Sequence, residues 1–265
     1  MRSNLSGLPA AARRSKMRAL INRRGFALVS DLARIFSISE VTVRGDLNAL
    51  AQTNTIRRVH GGAMTADYSA SMLRTSESSF DKYFEEKSRI GLAAANLVES
   101  HQVIALDAGT TTMAVARALA LRDDLKNVTV VTNALDVTQE LGTANPRITV
   151  IVTGGTYRPS LQCLVDPLAA SVLGRVRSDI AFIGSNGVSV GAGVTNVSLA
   201  EAEIKRRILD NASKAVLVAD SSKLGVARAS RICGIDELTA LVTGHEAPES
   251  GVAALRNAGL QVLRA

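Results

Sequence analysis

The stretch FSISEVTVRGDLNALAQTNTIRRVHGGA, residues 36–63, decides the fold of the N-terminal part of the chain. Ser39 is a predicted helix N-cap, because its hydroxyl can accept a hydrogen bond from a free amide of the first turn. Val43, Leu47 and Leu50 then recur at helical spacing and predict one buried stripe. The side chains expected on the other face are Glu40, Thr42, Arg44, Asp46 and Asn48. The segment therefore predicts a capped helix with a polar face turned outward.

Two further helices are predicted upstream of this one. Residues 29–36 predict a short helix with Leu32, Ala33 and Phe36 facing inward. Residues 13–24 predict a helix that completes a three-helix core, and its inward side chains are Met17, Leu20 and Ile21. Two short helices joined by a tight turn, the second capped and polar outside, form a helix-turn-helix.

A basic strand is predicted after this recognition helix. Residues 55–60 alternate like a strand, and Gly61-Gly62 are expected to end it. A basic ribbon in this position is typical of a winged helix-turn-helix. The residues expected to contact bases or nearby phosphates from the helix are Ser39, Glu40, Thr42, Val43 and Arg44. The residues expected to hold the DNA backbone or minor groove from the wing are Arg57, Arg58 and His60.

The distribution of charge supports DNA binding. The chain carries a formal net charge of +7. Residues 1–67 hold eleven basic and four acidic residues, so residues 68–265 are neutral overall. Positive charge confined to one end is expected where that end meets a phosphate backbone. A helical hairpin that serves as a dimerisation arm is the structural alternative, but it would not need this asymmetry.

Composition excludes several other classes of protein. Apolar residues make up 46% of the 265 residues and aromatic residues only 3%, so the core is expected to consist of Ala, Val, Leu and Ile. The two cysteines, Cys163 and Cys233, have neither zinc-site spacing nor a disulfide pattern. No segment has the apolar length of a signal peptide or a membrane span. We therefore expect a cytoplasmic protein without metal, cofactor or membrane contact.

Beyond residue 80 the sequence alternates between short apolar runs and amphipathic segments. The predicted strands are 103–106, 128–132, 148–153, 180–183, 215–219, 238–242 and 260–263. The predicted helices are 82–98, a helix ending at 120, 135–141, 167–173, 199–212 and 249–258. Apolar strands that alternate with helices indicate a mostly parallel, open-sheet α/β domain. The Ser/Thr-rich residues 64–80 are the predicted linker between the two domains.

Polar turns follow five of the predicted strands, at 107–112, 132–133, 153–155, 184–187 and 220–223. In an open parallel sheet, ligands bind beyond the carboxyl ends of the strands. A Gly-Thr-Thr turn that opens a helix offers amides, hydroxyls and a positive dipole end to an anion. Lys223 can add a positive charge opposite the anion, and Asp107 or Asn133 can accept hydrogen bonds from the hydroxyl groups of a sugar. Such turns also occur for structural reasons, but five of them favour a pocket for a small phosphorylated polyol.

The N-terminal motifs resemble those of the DeoR family of bacterial transcriptional regulators. The matching runs are Ser39-Glu-Val-Thr-Val-Arg44, Asp46-Leu47 and Arg57-Arg-Val-His-Gly-Gly-Ala63. The family pattern has a second arginine where this chain has Gly45. Glycine costs about 1 kcal/mol in a helix interior relative to alanine and removes one contact to phosphate or base, which bears on operator preference and leaves the fold intact.

The C-terminal half resembles the DeoR-type sensor domain, whose fold is shared with ribose-5-phosphate isomerase. The matching residues are Lys87, Asp107-Ala-Gly-Thr-Thr111, Thr132-Asn133, Gly154-Gly-Thr-Tyr157, Glu201-Ala-Glu-Ile-Lys205 and Ala219-Asp-Ser-Ser-Lys-Leu-Gly225. The resemblance implies a phosphate loop at Asp107, Gly109, Thr110 and Thr111, with Lys223 near the ligand. The full set of expected effector-binding residues is Lys87, Asp107, Gly109, Thr110, Thr111, Thr132, Asn133, Gly154, Gly155, Asn186, Gly187 and Lys223. Two departures from the family pattern are Asp166, where a glycine is usual, and Gly244, where an acid is usual.

A sugar-phosphate isomerase with a DNA-binding appendage is the alternative function. Isomerisation needs a carboxylate base and groups that stabilise an enediolate. The stretches that carry the acids and the lysine in related isomerases read GSNGV at 184–188 and VGAGV at 190–194 here. Glu201, Glu203 and Asp220 remain, but acids beside Lys and Arg on a helix are usually solvated surface pairs. We therefore expect no catalysis.

The sequence thus predicts a transcriptional regulator. Regulators of the family that it resembles are most often repressors of carbohydrate-use operons, so a repressor is expected here. The predicted domains are a winged helix-turn-helix at 13–63, the linker at 64–80, and a sensor and oligomerisation domain at 81–265. The expected partners are double-stranded operator DNA and a phosphorylated sugar or related metabolite as effector. A homodimer or homotetramer is expected, because two winged helices on one operator add their binding free energies.

Overall fold

The computed structural model describes residues 8–24, 26–53, 55–59, 62–65, 83–144, 147–159 and 162–265. The chain divides into two compact units, Met1–Lys82 and Tyr83–Ala265, and each is described by itself. The predicted linker, 64–80, begins inside the last strand of the first unit and otherwise lies outside the described residues. No helix among the described residues is both long and apolar enough to cross a membrane.

The described part of the first unit contains three helices and a small antiparallel sheet. The helices are α1 (Ala10–Arg24), α2 (Val29–Phe36) and α3 (Glu40–Gln52), and the strands are β1 (Phe26–Leu28), β2 (Ile56–Val59) and β3 (Gly62–Thr65), in the order β1-β3-β2. The predicted inward residues Met17, Leu32 and Val43 form its core. Ser39 caps α3 as predicted, because its Oγ accepts from the amide of Thr42 at 3.1 Å. The predicted three-helix core is therefore confirmed.

One expectation about this unit is confirmed and another was wrong. The predicted strand ends at Val59, before Gly61-Gly62, and Gly62 begins a further strand, β3, that had not been predicted and that pairs with β2. Asp46 does not lie on the solvated face of α3, because its side chain is buried. The helical spacing placed Asp46 outward without knowledge of α1.

The second unit is built on a seven-stranded sheet, in the order β15-β14-β12-β9-β4-β5-β6, with every neighbouring pair parallel. These strands are β4 (Val103–Leu106), β5 (Val128–Thr132), β6 (Ile148–Val152), β9 (Ser178–Ile183), β12 (Ala212–Val218), β14 (Ala240–Thr243) and β15 (Gln261–Arg264). The helices are α4 (Phe84–Ala95), α5 (Thr110–Ala120), α6 (Leu135–Ala144), α7 (Asp166–Leu173), α8 (Leu199–Asp210) and α9 (Glu249–Asn257). The predicted parallel α/β sheet is therefore confirmed.

Five short antiparallel strands had not been predicted in this unit. β7 (Thr156–Arg158) and β8 (Cys163–Val165) form a hairpin, whereas β10 (Gly187–Ser189), β11 (Gly193–Asn196) and β13 (Ser230–Cys233) form a three-stranded sheet. Strands of only three or four residues give little periodic signal. They matter here because β11 and β13 pack against α8 and cover part of its polar face.

The order of the sheet defines where a ligand site is expected. The chain runs from β4 outward to β5 and β6, and then returns to add β9 on the opposite side of β4. The carboxyl ends of β4 and β9 therefore flank the topological switch point of the sheet. Open α/β sheets bind ligands in the crevice at this position.

Candidate functional site

The N-cap and outward face of α3 carry four of the five residues of this segment that were expected to contact DNA. Glu40 and Arg44 are exposed, and the Arg44 guanidinium donates to the Glu40 carboxylate at 2.7 Å. Ser39 and Thr42, at the N-terminus of the helix, hydrogen-bond to each other through their hydroxyls at 2.8 Å. Val43 is completely buried in the core. It supports the helix from below and has no surface with which to contact a base.

The wing meets the recognition helix through Arg58. Its guanidinium lies 3.4 Å from the backbone carbonyl oxygen of Arg44 and donates a long hydrogen bond to it. The side chain of Arg57 and the whole of His60 lie outside the described residues. A role of these three wing residues in holding DNA stays a prediction.

Asp46 fixes the recognition helix to the rest of the first unit. One carboxylate oxygen accepts from Arg13 Nε at 2.6 Å, and the other lies 3.2 Å from Arg14 Nε. Hydrogen bonding to this carboxylate raises the pKa of Arg13. Charge-assisted hydrogen bonds of this kind are about twice as strong as neutral ones. The orientation of α3 on α1 is therefore set by a buried polar contact as well as by apolar packing.

At the switch point of the sheet, Asp107 forms a buried ion pair with Lys205. Asp107 follows β4, and one of its carboxylate oxygens accepts from the ammonium of Lys205 on α8 and from the amide of Gly184, the latter at 3.2 Å. The side chains of Asp107 and Lys205 are 3% and 4% exposed. Asp107 was expected at the site, whereas Lys205 had been named only as part of a family motif.

Glu201 belongs to the same cluster. Its carboxylate accepts from the side-chain amide of Asn196 on β11 at 2.9 Å, and burial raises its pKa. The expectation that Glu201 is a solvated surface acid was therefore wrong, whereas Glu203 is exposed as expected. The sequence signal was present, since Glu201 and Lys205 stand four residues apart and share one face of the helix. What the sequence could not show is that β11 covers this face.

The N-terminus of α5 lies beside this cluster. Gly109 precedes the helix and provides no side-chain cap, and the first turn holds no acidic residue. Thr110 is half-buried and Thr111 is buried. The amide ends of such a turn carry a positive partial charge, which attracts an anion. Contact of Gly109, Thr110 and Thr111 with a phosphate stays a prediction.

Thr132 is the last residue of β5, the other neighbour of β4, and Asn133 follows it. The Thr132 hydroxyl accepts from the amide of Ala134 at 3.1 Å, a local turn contact. The Asn133 amide group donates to the carbonyl oxygen of Leu164 at 3.1 Å, but its Oδ1 atom is buried without a hydrogen-bond partner among the described residues. The Oγ atom of Ser185, a residue that follows β9, is likewise buried without a hydrogen-bond partner among the described residues. Two unpaired acceptors thus stand after the two strands that flank β4.

A second charged cluster surrounds the end of β12. Lys87 Nζ on α4 lies 3.5 Å from Asp220 Oδ2, and Asp220 is completely buried. Burial lowers the pKa of Lys87, and the nearby charge of Lys223 lowers it further. Asp220 also accepts from the amide of Ser222 at 3.1 Å, in the short 3-10 helix Ser221–Lys223. The structure therefore brings the two predicted lysines together beside one buried acid.

Glu86 links this cluster to α4. Its buried carboxylate accepts from the Ser221 amide at 2.6 Å and from the Ser221 hydroxyl at 3.0 Å. A Cβ at Gly244 would lie 2.3 Å from Glu86 Cγ and Oε1. Glu86 thus occupies the space that a side chain at position 244 would need. This contact explains why glycine stands at position 244 in place of the family's usual acid, and it could not be inferred from the sequence.

The remaining predicted effector residues have structural roles in this fold. A Cβ at Gly155 would lie 2.5 Å from the carbonyl oxygen of Val165, and a Cβ at Gly187 would lie 2.4 Å from that of Val226. Gly154 is an exposed turn residue, and the Asn186 side chain accepts from the amide of Val197 at 2.9 Å. Contact of these four residues with a ligand stays a prediction.

Asp166 occupies a backbone conformation that favours glycine. Its φ angle is +78°, in the left-handed region, where a residue other than glycine costs about 1 kcal/mol or more. Its carboxylate lies 3.8 Å from the Arg158 guanidinium of β7. Glycine, the usual residue of the family at this position, would be unstrained here. Aspartate adds a negative charge and strains the backbone.

The described residues contain no group of His, Cys, Asp and Glu that could hold a metal ion. Cys163 and Cys233 are buried, and burial raises the pKa of each thiol to about 12. A thiol with such a pKa is almost entirely protonated at neutral pH, so neither cysteine is an activated nucleophile. The chemistry concentrated at the sheet edge is therefore that of carboxylates, lysines, hydroxyls and amides.

Comparison with known proteins agrees with this architecture. Residues 13–68 match the model of the DeoR-like helix-turn-helix domain, and residues 82–245 match the model of the DeoR C-terminal sensor domain. A winged helix-turn-helix joined to an α/β sensor domain is the organisation of a ligand-responsive transcriptional regulator. The chain belongs to the DeoR family of transcriptional regulators, as the sequence motifs indicated.

Individual relatives cover nearly the whole chain. The HTH-type transcriptional regulator GolR of Listeria innocua is 31% identical over 257 residues, which are 94% of this chain and 96% of GolR. The HTH-type transcriptional repressor CsqR of Escherichia coli is 30% identical over 98% of this chain and 97% of its own. The full-length sorbitol operon regulator SorC of Klebsiella pneumoniae aligns with a TM-score of 0.43 and 14% identity, over 94% of this chain and 100% of that one.

Proposed function

We propose that this DeoR-family regulator represses a carbohydrate-use operon and that a phosphorylated sugar or related metabolite controls its binding to operator DNA. The observation that carries the proposal is the position of Lys87 and Lys223 beside the buried Asp220 at the carboxyl edge of the sheet. Burial lowers the pKa of Lys87, the carboxylate of Asp220 raises it, and repulsion from the nearby Lys223 lowers it. A bound phosphate would relieve this repulsion.

The polar atoms between the lysines and β5 suit the rest of such a ligand. Asn133 Oδ1 and Ser185 Oγ are buried and unpaired among the described residues, and buried polar groups in proteins normally have partners. Hydroxyl groups of a polyol would supply them. The N-terminus of α5, with Thr110 and Thr111, offers a second place for an anionic group. The expected ligand is therefore a polyol with at least one phosphate.

Control of DNA binding requires that the effector distinguish two arrangements of the protein. We propose that it binds more tightly to the arrangement whose paired recognition helices do not match the spacing of the operator half-sites, which shifts the population off DNA. This mechanism needs a homodimer or homotetramer and acts in the cytoplasm, where the operator lies. It also needs the division into a domain at 13–63, a linker at 64–80 and a sensor at 81–265.

Repression is supported by the names of relatives that cover nearly the whole chain. CsqR of Escherichia coli is named a transcriptional repressor, and a protein of Escherichia coli O157:H7 that is 27% identical is named a putative aga operon transcriptional repressor. We extend repression to this chain by analogy. The direction of control is tested by whether adding the effector lowers or raises affinity for the operator.

Isomerase activity is the second candidate, and Glu201 is the observation that favours it. Its raised pKa suits a general base, and it lies in the cluster of Asp107 and Lys205. We propose that it is not used in this way, because Asn196 and Lys205 surround its carboxylate and the turn 184–188 holds no acid. Conversion of ribose 5-phosphate by the purified protein, with loss of activity in Glu201→Gln, would contradict this proposal.

The experiment that tests the effector is thermal unfolding of the full chain against a panel of sugar phosphates and their unphosphorylated parents. A ligand present at about 100 times its Kd stabilises the folded state by roughly 2.7 kcal/mol. We expect stabilisation by one or a few phosphorylated sugars and none by their parents. No stabilisation by any compound in a broad panel, or equal stabilisation by the parents, would contradict a phosphorylated effector.

A further inference from the structure

Gly45 lies in the interior of α3, six residues after the N-cap Ser39. Glycine destabilises a helix interior relative to alanine, because it loses more backbone freedom on folding. A glycine in such a position is usually explained by close packing or by a positive φ angle. Gly45 therefore needs a separate explanation if the folded unit requires neither.

Neither explanation applies to Gly45. A Cβ built at this position has nothing within 4 Å, and the backbone does not have a positive φ angle. By contrast, a Cβ at Gly91, in α4, would lie 2.5 Å from the backbone carbon of Ala114. The described part of the first unit would accommodate a larger residue at position 45 without any movement.

Gly45 lies on the outer face of the recognition helix. It is exposed, and on the same face lie Val41, one turn earlier, and Asn48, one turn later. Val41 is 75% exposed, although it is apolar and belongs to the first turn of the recognition helix. In helix-turn-helix proteins the N-terminal part of this helix contacts base edges in the major groove. Val41 and Gly45 therefore form a strip without a polar side chain to hydrogen-bond a base. Gly45, between Val41 and Asn48 on this face, has no side chain at all.

We infer that this Val41–Gly45 strip is the point of closest approach between α3 and the operator, and that Val41 packs against the 5-methyl group of a thymine. The major groove presents one apolar group, the thymine methyl, and aliphatic side chains are its usual partners. The absent side chain at Gly45 lets the helix lie deep enough for Val41 to reach it. Arg44, between the two, is then directed at a neighbouring phosphate or base.

The first test removes the methyl group from the DNA. Selection from a pool of random duplexes with the full-length protein gives the consensus site, and each thymine in it is then replaced by uracil. We expect one uracil replacement to weaken binding about fourfold, the effect of one buried methyl group, and the same replacement to have a smaller effect on Val41→Ala, whose shorter side chain buries less of the methyl group. Equal sensitivity of both proteins, equal binding of all uracil sites by the wild type, or selection of no consensus would overturn the inference.

The second test restores a side chain at the centre of the strip. We expect Gly45→Ala to raise the unfolding temperature of the first unit and to weaken operator binding about tenfold or more, since a methyl group would hold the helix away from several contacts. The matched control is Gly142→Ala, at an exposed glycine of α6 that also has nothing within 4 Å of a built Cβ. It should raise stability without changing DNA binding. Unchanged or stronger operator binding by a stably folded Gly45→Ala variant would contradict close approach.

Discussion

Lys205 of α8 donates to Asp107 at the end of β4, which lies 98 residues earlier in the chain. The pair joins a helix to the switch point of the sheet, and both side chains are buried. Two charges buried together are costly to desolvate, and one of them left alone is far more costly. The pair therefore ties the integrity of the candidate effector site to the stability of the second unit.

This pairing predicts a large loss of stability when one partner is removed. Lys205→Met should lower the free energy of unfolding by about 3–5 kcal/mol, because it leaves the Asp107 carboxylate buried without its countercharge. The double variant Asp107→Asn with Lys205→Met should recover most of the loss, since both charges are then absent. Urea unfolding of the full chain measures both. A single variant as stable as the wild type would show that the ion pair does not form.

The contact between Glu86 and Gly244 predicts a steric conflict. Gly244→Ala should destabilise the second unit by about 1–3 kcal/mol, because its Cβ would lie 2.3 Å from Glu86 Cγ and the core must repack. Combination with Glu86→Ala frees the space, so the double variant should be more stable than the sum of the single effects predicts. Additive losses of stability in this double-mutant cycle would exclude the contact.

The burial of Glu86 also predicts a dependence of stability on pH. Burial raises the pKa of this carboxyl group above its ordinary value of 4.5, against the hydrogen bonds from Ser221 that lower it. The contribution of Glu86 to stability is therefore complete below pH 4.5 and is lost as pH rises through the raised value. Relative to Glu86→Gln, the wild type should lose stability as pH rises from 4.5. A difference in unfolding free energy that stays constant with pH would contradict the raised pKa.

The exposed face of α3 predicts the effect of removing Arg44. Its side chain is 53% exposed and, among the described residues, bonds to Glu40 of the same helix, so Arg44→Ala should leave the fold intact. Loss of its contact with a base or phosphate should cost about 1–3 kcal/mol of specific binding. The control is Arg34→Ala on α2, an arginine that is 79% exposed and bonds to Asp31. Gel-shift titration with a selected operator compares the two. Equal operator affinities of the Arg44→Ala and Arg34→Ala variants would show that Arg44 does not contact the DNA.

The parts of the fold that the sequence predicts are those that depend on residues close together in the chain. Ser39 has a hydroxyl at the start of an apolar stripe, and it caps α3 as expected. Val103–Leu106 is an unbroken apolar run, and it forms a central strand. Hydrophobic periodicity and capping depend on neighbours in the chain, so they can be inferred without a structure.

The parts that sequence missed depend on contacts between distant residues. Asp46 has the helical position of a surface residue, and only the arginines of α1 bury it. Glu201 and Lys205 have the spacing of a solvated helical pair, yet β11 and Asp107 enclose them. The carboxyl edge of the sheet was predicted as the ligand side from the polar turns that follow the strands. The charged cluster of Lys87 and Asp220 could not be predicted in this way, because it depends on the packing of α4 against the end of β12.

We propose that the site at the sheet edge controls DNA binding, and titration of the operator complex is the direct test. Fluorescence anisotropy of a labelled operator with the full-length protein is followed as each sugar phosphate is added. We predict that one of them changes operator affinity by a factor of about 5 to 150 and that its unphosphorylated parent does not. Lys223→Ala should bind DNA normally without this response, whereas Lys214→Ala, at the exposed start of β12, should respond like the wild type. An unchanged affinity with every compound, or a full response in Lys223→Ala, would contradict the account.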